Sequence, residues 1–138
     1  MSETLKPGLS VTRRIEIDSD RTISFMGDDC RVYSTPKLLY DIEIVCRDLL
    51  LEHIGAGKDS VGTRVELDHV GATLLGMWVE ITVTLIEVNG PAVGFEFSAR
   101  DSVEVVARGK HSRFVVDIVK TVQRLKSKLA KANAASTG

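Results

Sequence analysis

The strongest constraint on the fold is one long segment, from Ser34 to about Ile54, that is apolar nearly all round a predicted helix. Thr35 supplies a capping hydroxyl and Pro36 suits the first helical position, so the segment begins as helices do. A surface helix carries a single apolar stripe. Here the apolar residues fall on almost every side, at Leu38, Leu39, Ile42, Ile44, Val45, Leu49, Leu50, Leu51 and Ile54. Other elements must therefore cover most of this helix.

The segments around the helix alternate between apolar and polar residues, as half-buried strands do. One predicted strand at 9–17 and a short extended piece at 23–25 precede the helix, and four strands follow it at 61–69, 77–88, 93–100 and about 104–118. Asn89-Gly90 marks a hairpin turn. One apolar face per strand is typical of an antiparallel sheet. The layout is α+β, a curled antiparallel sheet wrapped around one long central helix, and this is the order of the hotdog fold.

A chain of 138 residues suits one domain, so we expect residues 1–138 to form a single hotdog domain. The chain end is basic, with five Lys and Arg residues and no acid from 120 onward. Helical spacing of its apolar residues predicts a basic C-terminal helix at about 120–131 and a frayed tail at 132–138. The basic end has no aromatic side chains. Nucleic acid is therefore not an expected partner.

Export and membrane attachment are not predicted either. Residues 1–8 lack the basic and apolar regions of a signal peptide, and no apolar stretch approaches the roughly 18 residues that span a bilayer. Cys30 and Cys46 match no zinc or redox spacing. We expect a cytoplasmic protein with reduced cysteines, no membrane partner, and no metal or other cofactor.

Three polar residues fall where the pattern predicts apolar surroundings, namely Thr35, Glu43 and His69. Each has a structural explanation. Thr35 suits the helix N-cap, and Glu43 can form an ion pair with Arg47 one turn later. His69 shares its parity with Val61 and so ends the inward face of a strand, where a hydrogen-bonded core histidine is common. Each also has a chemical explanation, because a hydroxyl, a carboxylate and an imidazole facing one cleft can share proton transfer.

Other candidates are weaker. His53 lies near the helix C-terminus, where the helix dipole favours a cation. His111 lies on a predicted strand within Gly109-Lys110-His111-Ser112-Arg113, and the sequence leaves the roles of His111 and Arg113 open. No GxGxxG, P-loop or GxSxG motif occurs, which disfavours nucleotide hydrolysis, dinucleotide binding and the α/β-hydrolase fold.

The order and spacing of these residues resemble the fluoroacetyl-CoA thioesterase family, a hotdog-fold group of acyl-CoA hydrolases. The landmarks lie between about 9 and 117: Ser34-Thr35-Pro36 leading to Glu43, Val61-Gly62-Thr63, His69 before Gly71-Ala72-Thr73, Gly76, Asp101, and Gly109 to Arg113. The resemblance implies that Thr35, Glu43 and His69 form a catalytic set and that Gly62 helps to hold the thioester. It also implies a homodimer or higher homo-oligomer whose sites combine residues from both subunits.

The resemblance predicts an acyl-CoA thioesterase that hydrolyses a small or medium acyl thioester at a dimer interface. Two alternatives stay open: a non-catalytic hotdog protein that binds acyl-CoA or another apolar ligand, and a hydratase-type hotdog enzyme acting on enoyl-CoA. The segment 22–33 is shorter than in the fluoroacetate-specific enzyme, lacks its aromatic-rich lid, and offers only Phe25, Met26 and Tyr33 as bulky apolar covers. We therefore expect no special preference for a fluorinated acetyl group. Either Thr35 or water can be the nucleophile.

Overall fold

Five long strands and one central helix make up most of the fold. The computed structural model describes residues 4–137. Its elements are β1 (Ser10–Glu16), β2 (Thr22–Ile23), β3 (Val32–Tyr33), α1 (Thr35–Leu51), β4 (Lys58–His69), β5 (Trp78–Asn89), β6 (Ala92–Arg100), β7 (Val105–Asp117) and α2 (Ile118–Thr137). The predicted helix and strands are all present, with ends that differ from the prediction by a few residues.

The long strands form one antiparallel sheet in the order β1-β5-β6-β7-β4, and β2 pairs separately with β3. Helix α1 packs against the sheet and buries a core in which β5 and β6 each contribute one face. The buried residues of these two strands are Val79, Ile81, Val83, Leu85, Val93, Phe95, Phe97 and Ala99. Alternation therefore predicted the core faces correctly, because successive strand side chains point to opposite sides of a sheet.

Helix α1 is not covered on every side. Tyr40 is 58% exposed, and the Glu43 side chain is 38% exposed. The more deeply buried residues of α1 pack on the sheet, at Leu38, Ile42, Val45, Cys46, Leu49 and Leu50. The chain thus leaves part of an apolar helix open, although the sequence pattern predicted cover on most of its surface.

Helix α2 exceeds its predicted bounds of about 120–131. It begins at Ile118 and continues to Thr137, through most of the segment 132–138 that we expected to fray. Gly138 lies outside the described residues. Within residues 4–137, no helix combines the length and the apolar character that a membrane span requires.

Candidate active site

The N-terminus of α1 is capped by Ser34 and not by Thr35, so the predicted capping role of Thr35 is wrong. Ser34 has the extended backbone of a cap residue, with φ −78° and ψ 148°, and its hydroxyl accepts a hydrogen bond from the Lys37 amide at 3.3 Å. Thr35 is already inside the helix. Its hydroxyl is therefore free to interact outside the helix.

That hydroxyl reaches the end of β4. Thr35 Oγ1 lies 2.7 Å from His69 Nδ1, which is hydrogen-bonding distance. Burial lowers the pKa of His69 below its usual value, while an interaction with the Gly71 backbone opposes the shift. Both side chains line an open cavity of about 360 Å³, together with Ile23, Val32, Tyr33, Val70, Gly71 and Ala72. The structure thus joins a hydroxyl to a neutral imidazole beside a cavity.

A bulge in β4 separates its two halves. The register with β7 shifts between Gly62 and Arg64, so Thr63 is an extra residue. Val61 is 44% exposed, and the shared inward parity predicted for Val61 and His69 is wrong. On the N-terminal side of the bulge, it is Ser60 that is buried. A simple period of two cannot be extended through a bulge, because one extra residue exchanges the two faces.

Glu43 forms its ion pair with Arg113, so the predicted pair with Arg47 is wrong. Arg113 Nη1 donates to Glu43 Oε1 at 3.1 Å. Arg47 instead donates twice to Asp59, at 2.9 and 2.7 Å. Because these hydrogen bonds favour the charged form of each partner, the pKa of Arg47 is raised and the pKa of Asp59 is lowered. Arg47 is thereby held away from the site, and Glu43 faces β7.

The sequence left the role of Arg113 open, and the structure makes Arg113 the partner of Glu43. The Arg113 side chain is only 4% exposed, yet every guanidinium nitrogen has a partner. Nε donates to Ser60 Oγ at 2.7 Å, and Nη2 to the Ser60 carbonyl at 2.8 Å. Nη1 contacts both Glu43 and, at 3.2 Å, His111 Nε2. The available signal was the spacing of His111 and Arg113, which places two titratable side chains on one face of a strand.

Gly62 allows Glu43 to approach the strand. A Cβ atom at Gly62 would collide with Glu43 Oε1 and lie 3.2 Å from His111 Cε1. Gly62 and Glu43 line a second open cavity of about 340 Å³, whose other lining residues are Leu39, Thr63, Arg64, Val65 and His111. The absent side chain therefore leaves the carboxylate in contact with the bulged backbone.

The four predicted site residues divide between these two cavities of the chain. Thr35 and His69 line the first, and Glu43 and Gly62 line the second. The two cavities share no lining residue. The hydroxyl and imidazole can exchange a proton directly, whereas the carboxylate is held by the buried guanidinium of Arg113 on β7.

Comparisons with known proteins agree on the fold. A family model described as a fluoroacetyl-CoA-specific thioesterase matches residues 17–119. A fluoroacetyl-CoA thioesterase of Streptantibioticus cattleyicolor is 28% identical over 97 residues, which are 70% of each chain. The solved structure of the fluoroacetyl-CoA thioesterase FlK superposes with a TM-score of 0.84 at 22% identity, covering 91% of this chain and 98% of that one.

A hot-dog-like protein from Thermanaerovibrio acidaminovorans superposes with a TM-score of 0.80 at 24% identity, covering 88% of this chain and 91% of that one. These likenesses, with the five-stranded antiparallel sheet on α1, confirm the α+β hotdog fold that the order of elements predicted.

Proposed function

The chain belongs to the fluoroacetyl-CoA-specific thioesterase family, and on that premise we propose that it hydrolyses small or medium acyl-CoA thioesters at a site shared between two subunits. The observation that carries the proposal is the 2.7 Å contact between the Thr35 hydroxyl and His69 Nδ1 beside an open cavity. A hydroxyl paired with an imidazole base is one arrangement that activates a nucleophile for acyl transfer.

Proton transfer begins at His69. Its Nδ1 takes the proton of the Thr35 hydroxyl, or of a water in the same place, and the oxygen attacks the thioester carbonyl carbon. When the carbon–sulfur bond breaks, the imidazolium returns the proton to the CoA sulfur. If Thr35 is the nucleophile, water then cleaves the acyl ester by the same base. The depressed pKa of His69 favours the neutral base that starts either route.

Negative charge develops on the carbonyl oxygen during attack, and the partial positive charge at the N-terminus of α1 suits it. We propose that the Gly62 backbone, which lines the second cavity beside the Glu43 carboxylate, helps to hold the thioester. Glu43 would orient the imidazole or activate the hydrolytic water, with Arg113 holding it in place.

Dimer formation would bring the two cavities together. Within residues 4–137, β4 is an edge strand, and its exposed residues include Val61 and Val65. Two copies of β4 paired antiparallel about a twofold axis would continue the sheet across both protomers. In a register centred on Val65, His69 lies opposite the partner's Val61, next to the Gly62 and Glu43 that line the second cavity.

A broad acyl range follows from the segment before α1. The bulky apolar residues of this segment are Phe25, Met26 and Tyr33. Phe25 and Met26 are 82% and 76% exposed and line neither cavity, whereas Tyr33 is buried and lines the first one. Tight apolar contact is needed to distinguish single-atom changes in a substrate. We therefore propose that acetyl, fluoroacetyl and longer acyl groups are all accepted.

The test uses purified protein, a panel of acyl-CoAs and a thiol reagent that reports released CoA. We expect hydrolysis that His69→Ala reduces roughly 10²- to 10⁴-fold. His53→Ala is the matched control, since His53 lies outside both cavities and its Nδ1 contacts the hydroxyl of Thr4. Binding of acyl-CoA without release would favour the non-catalytic alternative, and water addition to an enoyl-CoA would favour a hydratase.

Mixing two inactive variants tests the shared site. A dimer of one His69→Ala protomer and one Glu43→Gln protomer contains one site with both residues intact if the site spans the interface. Statistical mixing would then restore roughly a quarter of the wild-type activity. A site built within one protomer gives no restoration. Sedimentation of the wild-type protein reports the oligomeric state independently.

A further inference from the structure

His111 is buried, and both of its ring nitrogens are engaged. Nδ1 lies 2.8 Å from the Arg64 carbonyl oxygen, which can only accept a hydrogen bond. Nε2 lies 3.2 Å from Arg113 Nη1, which can only donate. Both contacts are satisfied by one protonation state, the neutral ring with its proton on Nδ1. Burial lowers the pKa of His111, and the charge of Arg113 adds to the shift.

Through these two contacts His111 touches both parts of the structure that position Glu43, namely the β4 bulge and Arg113. The Arg64 carbonyl lies at the bulge that brings Gly62 against the carboxylate. Arg113 Nη1 also donates to Glu43, while its other nitrogens are held by Ser60. His111 therefore completes the set of contacts around the guanidinium and fixes the backbone beside it.

We propose that neutral His111 is a positioning residue for the Glu43 carboxylate, acting through Arg113 and through the bulge at Gly62. The inference rests on the proposed function, because it assumes that Glu43 serves the reaction. Neither ring nitrogen is free to exchange a proton with a substrate. The residue acts through its neighbours and is not itself an acid or base.

Protonation of His111 would undo this arrangement. The added proton on Nε2 would point at Arg113 Nη1, which already donates toward it, so the contact would be lost and two cations would adjoin. The charged groups facing the ring are Arg113 on its own strand and Glu43 from α1. Cys46 of α1, whose thiol has its pKa raised to about 12 by burial, stays neutral there. Acid should therefore release Glu43 from its position.

Two substitutions separate hydrogen bonding from size. His111→Gln keeps an amide donor and acceptor, whereas His111→Leu keeps an apolar volume without either. Ser112→Ala is the control on the adjacent, opposite face of β7. We expect kcat for acyl-CoA to fall roughly 10- to 100-fold in H111L, with a smaller change in KM, because a displaced catalytic group costs rate. H111Q should recover most of that loss, and S112A should match the wild type.

A double-mutant cycle tests the route through Glu43. If His111 acts by positioning Glu43, H111L added to Glu43→Gln causes no further loss of kcat. Additive losses would overturn the proposal, as would equal loss in H111Q and H111L. Should H111L fail to fold, His111→Ala, which also removes both hydrogen bonds, combined with E43Q supplies the same comparison.

The ring tautomer is measured without substrate, by long-range proton–nitrogen NMR of the wild-type protein. We expect the proton on Nδ1 of His111, and a proton on Nε2 at neutral pH would refute the inference. An inactive wild-type protein would instead refute the proposed function. The two failures are therefore distinguishable.

Discussion

The most direct test of the site geometry is the substitution Gly62→Ala, because it displaces the Glu43 carboxylate. An alanine Cβ at this position would collide with Glu43 Oε1 and crowd His111 Cε1 at 3.2 Å. The Glu43 carboxylate is the end of a flexible, 38% exposed side chain, so it can swing away into solvent. Moving it breaks the hydrogen bond to Arg113 but leaves the fold intact. Gly62 has no left-handed backbone angle, so alanine causes no backbone strain there.

The stability change should be small. Loss of a charge-assisted hydrogen bond costs about 1.5–3 kcal/mol, and the exposure of Glu43 places this one at the low end. Replacing glycine by alanine in a compatible backbone returns about 0.4–1 kcal/mol through the unfolded chain. The net loss is therefore about 1 kcal/mol, which for a domain of this size lowers Tm by roughly 3–5 °C.

The activity change should be much larger. Removing a positioned acid–base group typically costs about 10²–10⁴ in rate, or about 2.7–5.4 kcal/mol of transition-state stabilisation. The matched control is Gly94→Ala on β6, where a Cβ meets Glu87 Cβ at an ordinary 3.5 Å. The assay compares kcat/KM and Tm of both variants with the wild type. If G62A and G94A hydrolyse acyl-CoA equally well, Glu43 does not act from the position seen here.

Four further predictions concern the remaining parts of the site. Thr35→Val should lower kcat sharply while Thr35→Ser keeps activity, and Tm should hardly change because Ser34 caps the helix. Ser34→Ala should instead lower the free energy of unfolding by about 0.5–2 kcal/mol, measured by urea unfolding, because Ser34 caps the helix. An unchanged free energy of unfolding would show that the Thr35 hydroxyl can replace this cap. The kcat/KM profile should decline as pH falls through the pKa of His69, which lies below its usual value, and a decline that begins well above pH 6.5 would contradict a neutral His69 base. Fluoroacetyl-CoA and acetyl-CoA should differ in kcat/KM by no more than about 200-fold, and a preference of several orders of magnitude would show that the segment before α1 closes on the substrate.

The sequence determined the architecture because buried faces of helices and strands require apolar residues at regular spacing. An all-round apolar helix between alternating segments required a sheet to cover it, and β5 and β6 bury the residues that alternation selected. The same periodicity placed Thr35 at a helix start and His69 at a strand end. The family resemblance, and not spacing alone, predicted their pairing, and the 2.7 Å contact between residues 34 positions apart agrees with it.

The tertiary structure decided which partner each charged residue takes. Glu43 had an acceptable partner at Arg47 in the sequence, but Asp59 holds Arg47, and Glu43 meets Arg113 from 70 positions away. The bulge at Gly62 likewise exchanged the faces of β4 without leaving a mark in the alternation. Local periodicity reports only whether a side chain is buried. The choice of ion-pair partner depends on distances between separate elements, and these exist only once the sheet has closed on the helix.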